Sequence, residues 1–336
     1  MNLVLAYKNF AANRNISHIG LGVAAINTAK VLRREGIPAE VWPISSAQDL
    51  RKRLENAPRK EVIISAPWIP AHELQSLSMD FPETRFTVTC HSNVGFLQAD
   101  RNGVRLVRET IDLELGTSNI RLAGNTRRFC DWIQMAYGAP CAYLPNLYYL
   151  DGAPVRPQYP FTCGTLRIGA FGATRPLKNL MSAAAAALEI ARGLRVPLEF
   201  WMSGGRSEAG GESIHAAIKE MLQGLAGVSV IFNGWQSWPK FRQTVGHMDL
   251  LLQPSYTESF NMVTGDGVAE GVPSVVSSAI DWAPKDWKAD VDDVLDIARV
   301  GRRLLADARA AQDGFRALQA YVADGVRCYK EFLTTT

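Results

Sequence analysis

The sequence predicts an α/β protein made of two Rossmann-like, doubly wound domains that face each other across a cleft. Three observations predict it. Strand-like runs alternate with runs of helical spacing through most of the chain, and strict alternation calls for parallel sheets with helices on both faces. The alternation stops once, in the Pro-rich stretch 145–163 (PNLYYLDGAPVRPQYPFTC), and then restarts. The length of 336 residues is long for one hydrophobic core and suits two. The predicted division is a first domain over 1–147, a linker over 148–163, a second domain over 164–310 and a closing helix over 311–336.

In the first half, residues 3–7 read as a strand. A polar loop follows, AANRNISHIGLG, ending in Gly20 and Gly22, and a helix is predicted over 23–34, stopped by Gly36. A glycine pair between a first strand and a first helix lets the backbone approach a ligand, although glycines in such loops also serve turns. His18, just before the pair, reads as a loop residue. The next elements are a strand at 39–44, a charged helix at 48–55, a strand at 61–65, a helix at 71–77 and a strand at 85–91. In that last strand Phe86, Val88 and Cys90 face one side, and Thr87, Thr89 and His91 the other. His91 therefore falls at the carboxyl end of a strand, ahead of Ser92-Asn93-x-Gly95. Two readings of it stand: a ligand contact in the crevice, or a hydrogen-bonded residue that caps the loop. Helices at 104–115 and 126–137, with strands at 119–122 and 141–144, complete the half.

The second half repeats the pattern. A strand at 165–171 leads into the loop Gly172-Ala173-Thr174-Arg175-Pro176-Leu177-Lys178-Asn179 and an Ala-rich helix at 180–192. The alanines point to close packing on the sheet. A strand at 197–203 ends in Gly204-Gly205, before Arg206. A helix at 213–222, a strand at 228–232 ending in Asn233-Gly234, and a helix at 238–245 follow. The most informative stretch is 250–277, LLLQPSYTESFNMVTGDGVAEGVPSVVS. It reads as a buried strand from 248 to 252, a polar loop carrying Glu258, a helix from about Ser259, a Gly-Val-Pro stop and a strand at 274–277. That βαβ unit sets a carboxylate and free backbone N–H groups at the carboxyl end of a strand, where open parallel sheets bind ligands. A helix start there favours anionic groups. A Trp- and Pro-containing loop at 281–288 and helices at 291–308 and 311–332 close the chain.

Composition narrows the class. Apolar residues make up 47% and charged residues 21% of the chain, as in soluble globular proteins. No apolar run is long enough to span a bilayer, and the short run before Lys8 reads as a strand and not a signal peptide. The expected location is cytoplasmic. The five cysteines are scattered, odd in number and form no CxxC pair, so free thiols are expected and a zinc site is not. The net charge of +3 is uneven. Residues 1–150 hold 17 Lys/Arg against 13 Asp/Glu, and residues 151–336 hold 19 against 20. The excess in the first half is either chance asymmetry of a solvated surface or the footprint of an anionic partner: nucleic acid, a phosphorylated saccharide or a membrane surface.

In a doubly wound sheet the polar groups at the strand carboxyl ends of the second half share one rim: Arg175 and Lys178, Gly204-Gly205, Gly234, and Ser255 to Ser259. Two cations, a glycine-rich backbone and a helix N-terminus make a diphosphate cradle. Asp266, eight residues after Glu258, is predicted near a ribose hydroxyl pair. Singly, each has a plain structural reading. Lys178 can be a solvated lysine at a helix start, Glu258 a residue favoured by the helix N-terminus, and Asp266 a surface carboxylate. Their joint placement carries the ligand reading.

The chain resembles retaining, nucleotide-sugar-dependent glycosyltransferases of GT-B fold. The resemblance rests on Gly172-x-x-x-Pro176-x-Lys178-Asn179, Ser203-Gly204-Gly205, Phe232-x-Gly234, Gln253-Pro254-Ser255-x-x-Glu258-x-Phe260 and Gly271-x-Pro273-x-Val275-Val276-x-Ser278, in the family's order. Gly20-x-Gly22, Thr89-Cys90-His91 and Leu144-Pro145-Asn146 match more loosely. The closing helix resembles the one that crosses back onto the first domain. Two positions depart from the family: Asp266 stands where a second glutamate is usual, and Ala173 where an arginine often follows the glycine.

The resemblance implies that the second domain holds the sugar nucleotide and the first the acceptor. Lys178 would pair with the diphosphate, Glu258 with the donor sugar and Asp266 with the ribose. His91 would lie near the reacting sugar. The implied catalytic set is His91, Lys178 and Glu258. The implied donor-binding set is Gly20, Gly22, Arg175, Lys178, Gly204, Gly234, Ser259, Phe260, Asn261 and Asp266. The donor would be a UDP-sugar, with a GDP-sugar as the alternative, and no metal or tightly bound cofactor is implied. Fixed cations and helix-end amides would stabilise the departing diphosphate, and anomeric configuration would be retained. The acceptor would be a saccharide or glycolipid; hydroxylated DNA bases are the alternative motivated by the basic first half. A sugar-nucleotide epimerase and a sugar-nucleotide-binding protein without transferase activity are the rival classes.

Overall fold

The computed structural model describes residues 3–9, 18–153, 164–205, 207–208 and 210–334. Most of the loop before Gly20, Arg206, and the greater part of the Pro-rich linker lie outside the described residues. The chain divides into two compact units. Unit 1 is Met1–Tyr149 with Val322–Thr336, and unit 2 is Leu150–Tyr321.

Unit 1 alternates strands and helices in chain order. They are β1 (Leu3–Lys8), α1 (His18–Arg34), β2 (Ala39–Ile44), α2 (Ala47–Asn56), β3 (Glu61–Ser65), α3 (Ala71–Asp80), β4 (Arg85–Cys90), the short α4 (Val94–Leu97), α5 (Arg101–Gly116), β5 (Ile120–Gly124), α6 (Arg127–Tyr137) and β6 (Ala142–Tyr143). The sheet is parallel, in the order β2-β1-β3-β4-β5-β6. β1 lies between β2 and β3 with Leu3 opposite both Ala39 and Glu61. Its side chains are buried on both faces, as a central strand of a covered parallel sheet requires. Val4 and Ala6 enter a core with Leu50, Leu54, Val62 and Leu77, and a second core under α5 and α6 holds Val107, Ile111, Leu122, Phe129 and Ile133.

Gly20 and Gly22, expected in the loop after β1, both lie inside α1, which starts at His18. Gly22 packs against Tyr7 of β1: a Cβ there would stand 3.0 Å from the phenol ring. The glycine serves a close helix–strand approach, and Gly20 is exposed with open space around it.

Unit 2 contains β7 (Leu166–Ala170), a 3₁₀ turn (Pro176–Lys178), α7 (Leu180–Leu194), β8 (Leu198–Ser203), α8 (Glu212–Leu222), β9 (Val228–Asn233), α9 (Trp238–Gly246), β10 (Leu250–Gln253), α10 (Met262–Ala269), β11 (Ser274–Val276), a second 3₁₀ turn (Lys285–Trp287) and α11 (Val294–Ala306). Its parallel sheet has the order β11-β10-β7-β8-β9. The run LLLQ of β10 is buried throughout because it sits inside the sheet. The alanines of α7 let it lie close to the sheet and to α11. Gly301 of α11 completes that approach, since a Cβ there would stand 2.5 Å from Ile190.

The last helix, α12 (Ala310–Thr334), starts in unit 2 and belongs to unit 1 from Val322 onward. Within unit 1, Arg85 donates to the Phe332 carbonyl at 3.1 Å and Arg127 pairs with Asp324 at 3.0 Å. Gly325 leaves room for Leu147 and Pro145. Among the described residues no helix is long and apolar enough to cross a membrane.

Candidate functional site

The rim of unit 2 is built on the loops that leave β7 and β10. After β7 the chain turns at Gly172, whose φ of +118° is a conformation that side-chain-bearing residues rarely adopt. Thr174 is fully buried, and its carbonyl accepts from the Glu208 amide at 2.8 Å. His215 of α8 sits with Nε2 2.7 Å from the Thr174 hydroxyl and 2.9 Å from the Ser203 carbonyl. The Ser203 hydroxyl accepts from the Gly172 amide at 3.1 Å. The loop after β7 is thereby stitched to the end of β8.

Arg175 then leads into the 3₁₀ turn that carries Lys178. Pro176 fits its first position because a fixed φ and a missing N–H cost nothing there. Asn179 follows in the left-handed region, and its side-chain amide donates to the carbonyls of Pro254 (3.2 Å) and Val291 (2.9 Å). That bridge ties the Lys178 turn to the loop after β10.

The β10 loop presents Glu258. The helix expected from about Ser259 begins later, at Met262. Asn261 is the reason: it takes a left-handed backbone, and its side-chain oxygen accepts from the Thr264 amide at 2.9 Å, which makes it the N-cap. The same Asn261 amide donates to Gln253 Oε1 and to Glu258 Oε1, both at 3.1 Å. Gln253 in turn donates to the Phe171 carbonyl at 3.2 Å. The chain of bonds Phe171–Gln253–Asn261–Glu258–Lys178 runs from the end of β7 to the end of β10 and back.

Lys178 and Glu258 form a buried ion pair, with each residue 9% exposed. Burial alone pushes the Glu258 carboxyl up. The Lys178 charge and hydrogen bond, with smaller help from Arg175 and Ser255, outweigh it and leave the group below its ordinary value. Glu258 is therefore a carboxylate at neutral pH. Arg175 also pairs with Glu208 at 3.4 Å. The arrangement offers two cations, a carboxylate and the N-terminus of α10, a set suited to an anionic, hydroxyl-rich ligand.

The other sequence-predicted residues fall as follows. Gly204 and Gly234 are exposed at the ends of β8 and β9. Ser259 is half-buried beside Glu258. The Phe260 ring is buried and stacks on Trp282 at 5.3 Å, so the side chain is core. Asp266 is 2% exposed, with Oδ1 accepting from the Trp238 indole at 3.0 Å. Glu258 lies in the loop ahead of α10, so it and Asp266 do not share a helix.

In unit 1, His91 follows β4 directly and lies half-buried, with Nδ1 3.3 Å from the Asn125 amide nitrogen. Burial holds its pKa down to about 4, so the imidazole is neutral at pH 7. Asn93 of the following loop accepts from the Thr126 hydroxyl at 2.7 Å.

Sequence reasoning missed His215, Glu208 and Trp238 as partners of the rim. Nothing in their local sequence marks them, because their contacts come from elements 28 to 41 residues away. Gln253 and Asn179 were visible as motif letters, but their bridging bonds were not.

Comparison with known proteins fits this geometry. Residues 165–307 match a family model described as Glycosyl transferases group 1. Among solved structures, the chain is similar to Anabaena Alr3699/HepE in complex with UDP, with a TM-score of 0.66 and 12% identity over 100% of both chains. It is similar to the sucrose-phosphate synthase of Thermosynechococcus elongatus, with a TM-score of 0.68 and 13% identity over 100% of both. It is also similar to an α,α-trehalose-phosphate synthase (UDP-forming) from Burkholderia xenovorans solved with glucose-6-phosphate, at 0.63 and 12% over 99% of each chain. No curated protein sequence matches. The fold is thus GT-B, with two Rossmann-like domains, and unit 2 carries the group 1 glycosyltransferase match over most of its length.

Proposed function

We propose that this protein is a retaining, metal-independent glycosyltransferase that moves a hexose-type sugar from a UDP-sugar to a hydroxyl of a saccharide or glycolipid. The observation that carries the reading is the buried Lys178–Glu258 pair, set at the strand ends of the segment that matches the glycosyltransferase model. UDP is favoured because Anabaena Alr3699/HepE was solved with UDP. Lys178 and Arg175 neutralise the diphosphate as it departs, and the free amides at the start of α10 supply fixed dipoles. Glu258, ionised and oriented by Asn261, accepts from sugar hydroxyls. Ser259 and the Phe260 and Asn261 backbones line the same loop, and Gly204 and Gly234 give the nucleotide close access to backbone. In unit 1, the neutral His91 imidazole is the hydrogen-bonding group offered to an uncharged hydroxyl, and Gly20 and Gly22 lie on the helix after β1.

A second reading, a sugar-nucleotide-binding protein without transfer, is favoured by the burial of Asp266 against Trp238. One experiment separates them. Binding and slow hydrolysis of UDP-sugars are measured by thermal shift and product release for the wild type, Lys178→Ala and Glu258→Ala. Stabilisation by one UDP-sugar with hydrolysis lost in both variants supports the transferase. Binding without any hydrolysis supports the binder. No stabilisation by any nucleoside-diphosphate sugar overturns both.

A further inference from the structure

Two half-buried cysteines meet in unit 1. Cys130 stands in the second turn of α6, whose N-cap Thr126 accepts from the Phe129 amide. Cys141 lies just past the left-handed Gly138 that ends α6, directly before β6. The two sulfurs are 3.5 Å apart. Cys130 Sγ lies over the seam between β5 and β6, donating to the Ala142 carbonyl at 3.5 Å and facing the Gly124 carbonyl at 3.8 Å. Gly124 makes room for it: a Cβ there would stand 3.0 Å from that sulfur. Cys141 lines a surface pocket of about 500 Å³ together with Glu114 and Arg121, and Cys130, half-buried itself, stands directly behind it across the 3.5 Å sulfur contact.

The two thiols are not equivalent. Cys141 donates its S–H to the Cys130 sulfur. That bond outweighs burial and lowers the Cys130 thiol, while the neighbouring Asp131 charge opposes it and the weaker Arg127 effect assists; the same bond and burial raise Cys141. By contrast, burial pushes the Cys90 thiol up to about 12, and burial also raises Cys328.

We propose that Cys130 and Cys141 are a reversible dithiol–disulfide site that is oxidised by hydroperoxides. The Cys130 thiolate attacks a peroxide oxygen, the O–O bond breaks, and a sulfenic acid forms with release of water or an alcohol. The Cys141 sulfur then attacks the Cys130 sulfur, its proton leaves with the hydroxyl as water, and the S–S bond closes. Overall, two thiols and one hydroperoxide give one disulfide, one water and one alcohol, or two waters from hydrogen peroxide. The sulfurs have to close from 3.5 Å to about 2.05 Å. A dithiol reductant reverses the change by exchange. The bond ties the N-terminal part of α6 to the residue directly before edge strand β6.

The test uses the reduced full chain, native, with one equivalent of hydrogen peroxide. Remaining thiols are alkylated and mapped by mass spectrometry after chymotryptic cleavage, which cuts between the two cysteines at Trp132 and Tyr137. The expected result is loss of two of the five thiols ahead of the others, one Cys130–Cys141 linked pair, and full recovery with dithiothreitol. Cys141→Ser should leave a Cys130 sulfenic acid that dimedone traps, and Cys130→Ser should slow oxidation of Cys141 at least tenfold. Equal reactivity of all thiols, pairing of Cys130 with Cys90 instead, or unchanged Cys141 oxidation in Cys130→Ser each overturns the proposal. Repeating the reaction in denaturant should abolish the preference; a preference that survives unfolding would also count against it.

Discussion

The Trp238 indole N–H donates to the Asp266 carboxylate at 3.0 Å, joining the start of α9 to the buried helix α10. Asp266 is thus tied to protein at the position where the family resemblance implies a ribose contact. Trp238→Phe removes that donor from a buried carboxylate. The expected cost is about 1–3 kcal/mol of stability, read from urea unfolding. Weaker UDP binding without a loss of stability would show instead that Trp238 acts on the ligand alone.

Breaking the Lys178–Glu258 pair from either side should destabilise the protein. Lys178→Met leaves Glu258 charged and buried, at a cost of about 3–5 kcal/mol. The double variant Lys178→Met/Glu258→Gln should recover part of that loss, and both should lack sugar transfer. Chemical denaturation gives the numbers. A double variant no more stable than Lys178→Met would deny the pair its structural weight.

The pH dependence of the same pair has a definite sign. Glu258 is lowered from its ordinary value of 4.5 in the folded state. Its contribution is therefore present above about pH 4.5 and is lost as pH falls through the lower folded value. The stability gap between wild type and Glu258→Gln should be constant from pH 7 to 5 and shrink below pH 4. A gap that grows on acidification would reverse the assignment.

His91 acts in the same sense but in a higher pH window. Its folded pKa of about 4 lies below the ordinary 6.5, so the unfolded chain takes up the proton first. The protein should lose stability as pH drops from 6.5 toward 4, by at most about 3 kcal/mol from this group. His91→Asn should remove that part of the acid sensitivity. An imidazole NMR signal that titrates near pH 6.5 would refute it.

Gly172 holds a positive-φ backbone on the rim. Gly172→Ala forces a side chain onto a φ of +118° and places its Cβ 3.4 Å from Lys178 Cε. A loss of about 1–3 kcal/mol is expected, together with weaker diphosphate binding by calorimetry. Wild-type values for both would show that the turn adapts.

The alternation of elements was legible because its period and its punctuation are local. Strand runs such as 248–252 and the Gly-Val-Pro stop before β11 need only neighbouring residues to declare themselves. The Lys178 and Glu258 positions were legible as spaced motif letters. The start of α10 comes later than the spacing suggests because Asn261 holds a left-handed backbone and caps the helix from there, a conformation that spacing does not encode. Gly20 and Gly22 were misread as loop because the packing of Gly22 on Tyr7 is a tertiary contact.

By itself, then, the sequence determined two parallel α/β units, their break near the Pro-rich stretch, and a rim that gathers Arg175, Lys178 and Glu258. Those follow from side-chain period and from the rule that strand carboxyl ends share one edge. Only the tertiary structure decided which charges are already paired: Lys178 with Glu258, Arg175 with Glu208, and Asp266 with Trp238. Pairing depends on distances of a few ångströms between segments up to 80 residues apart. The sequence carries no measure of such distances; packing sets them.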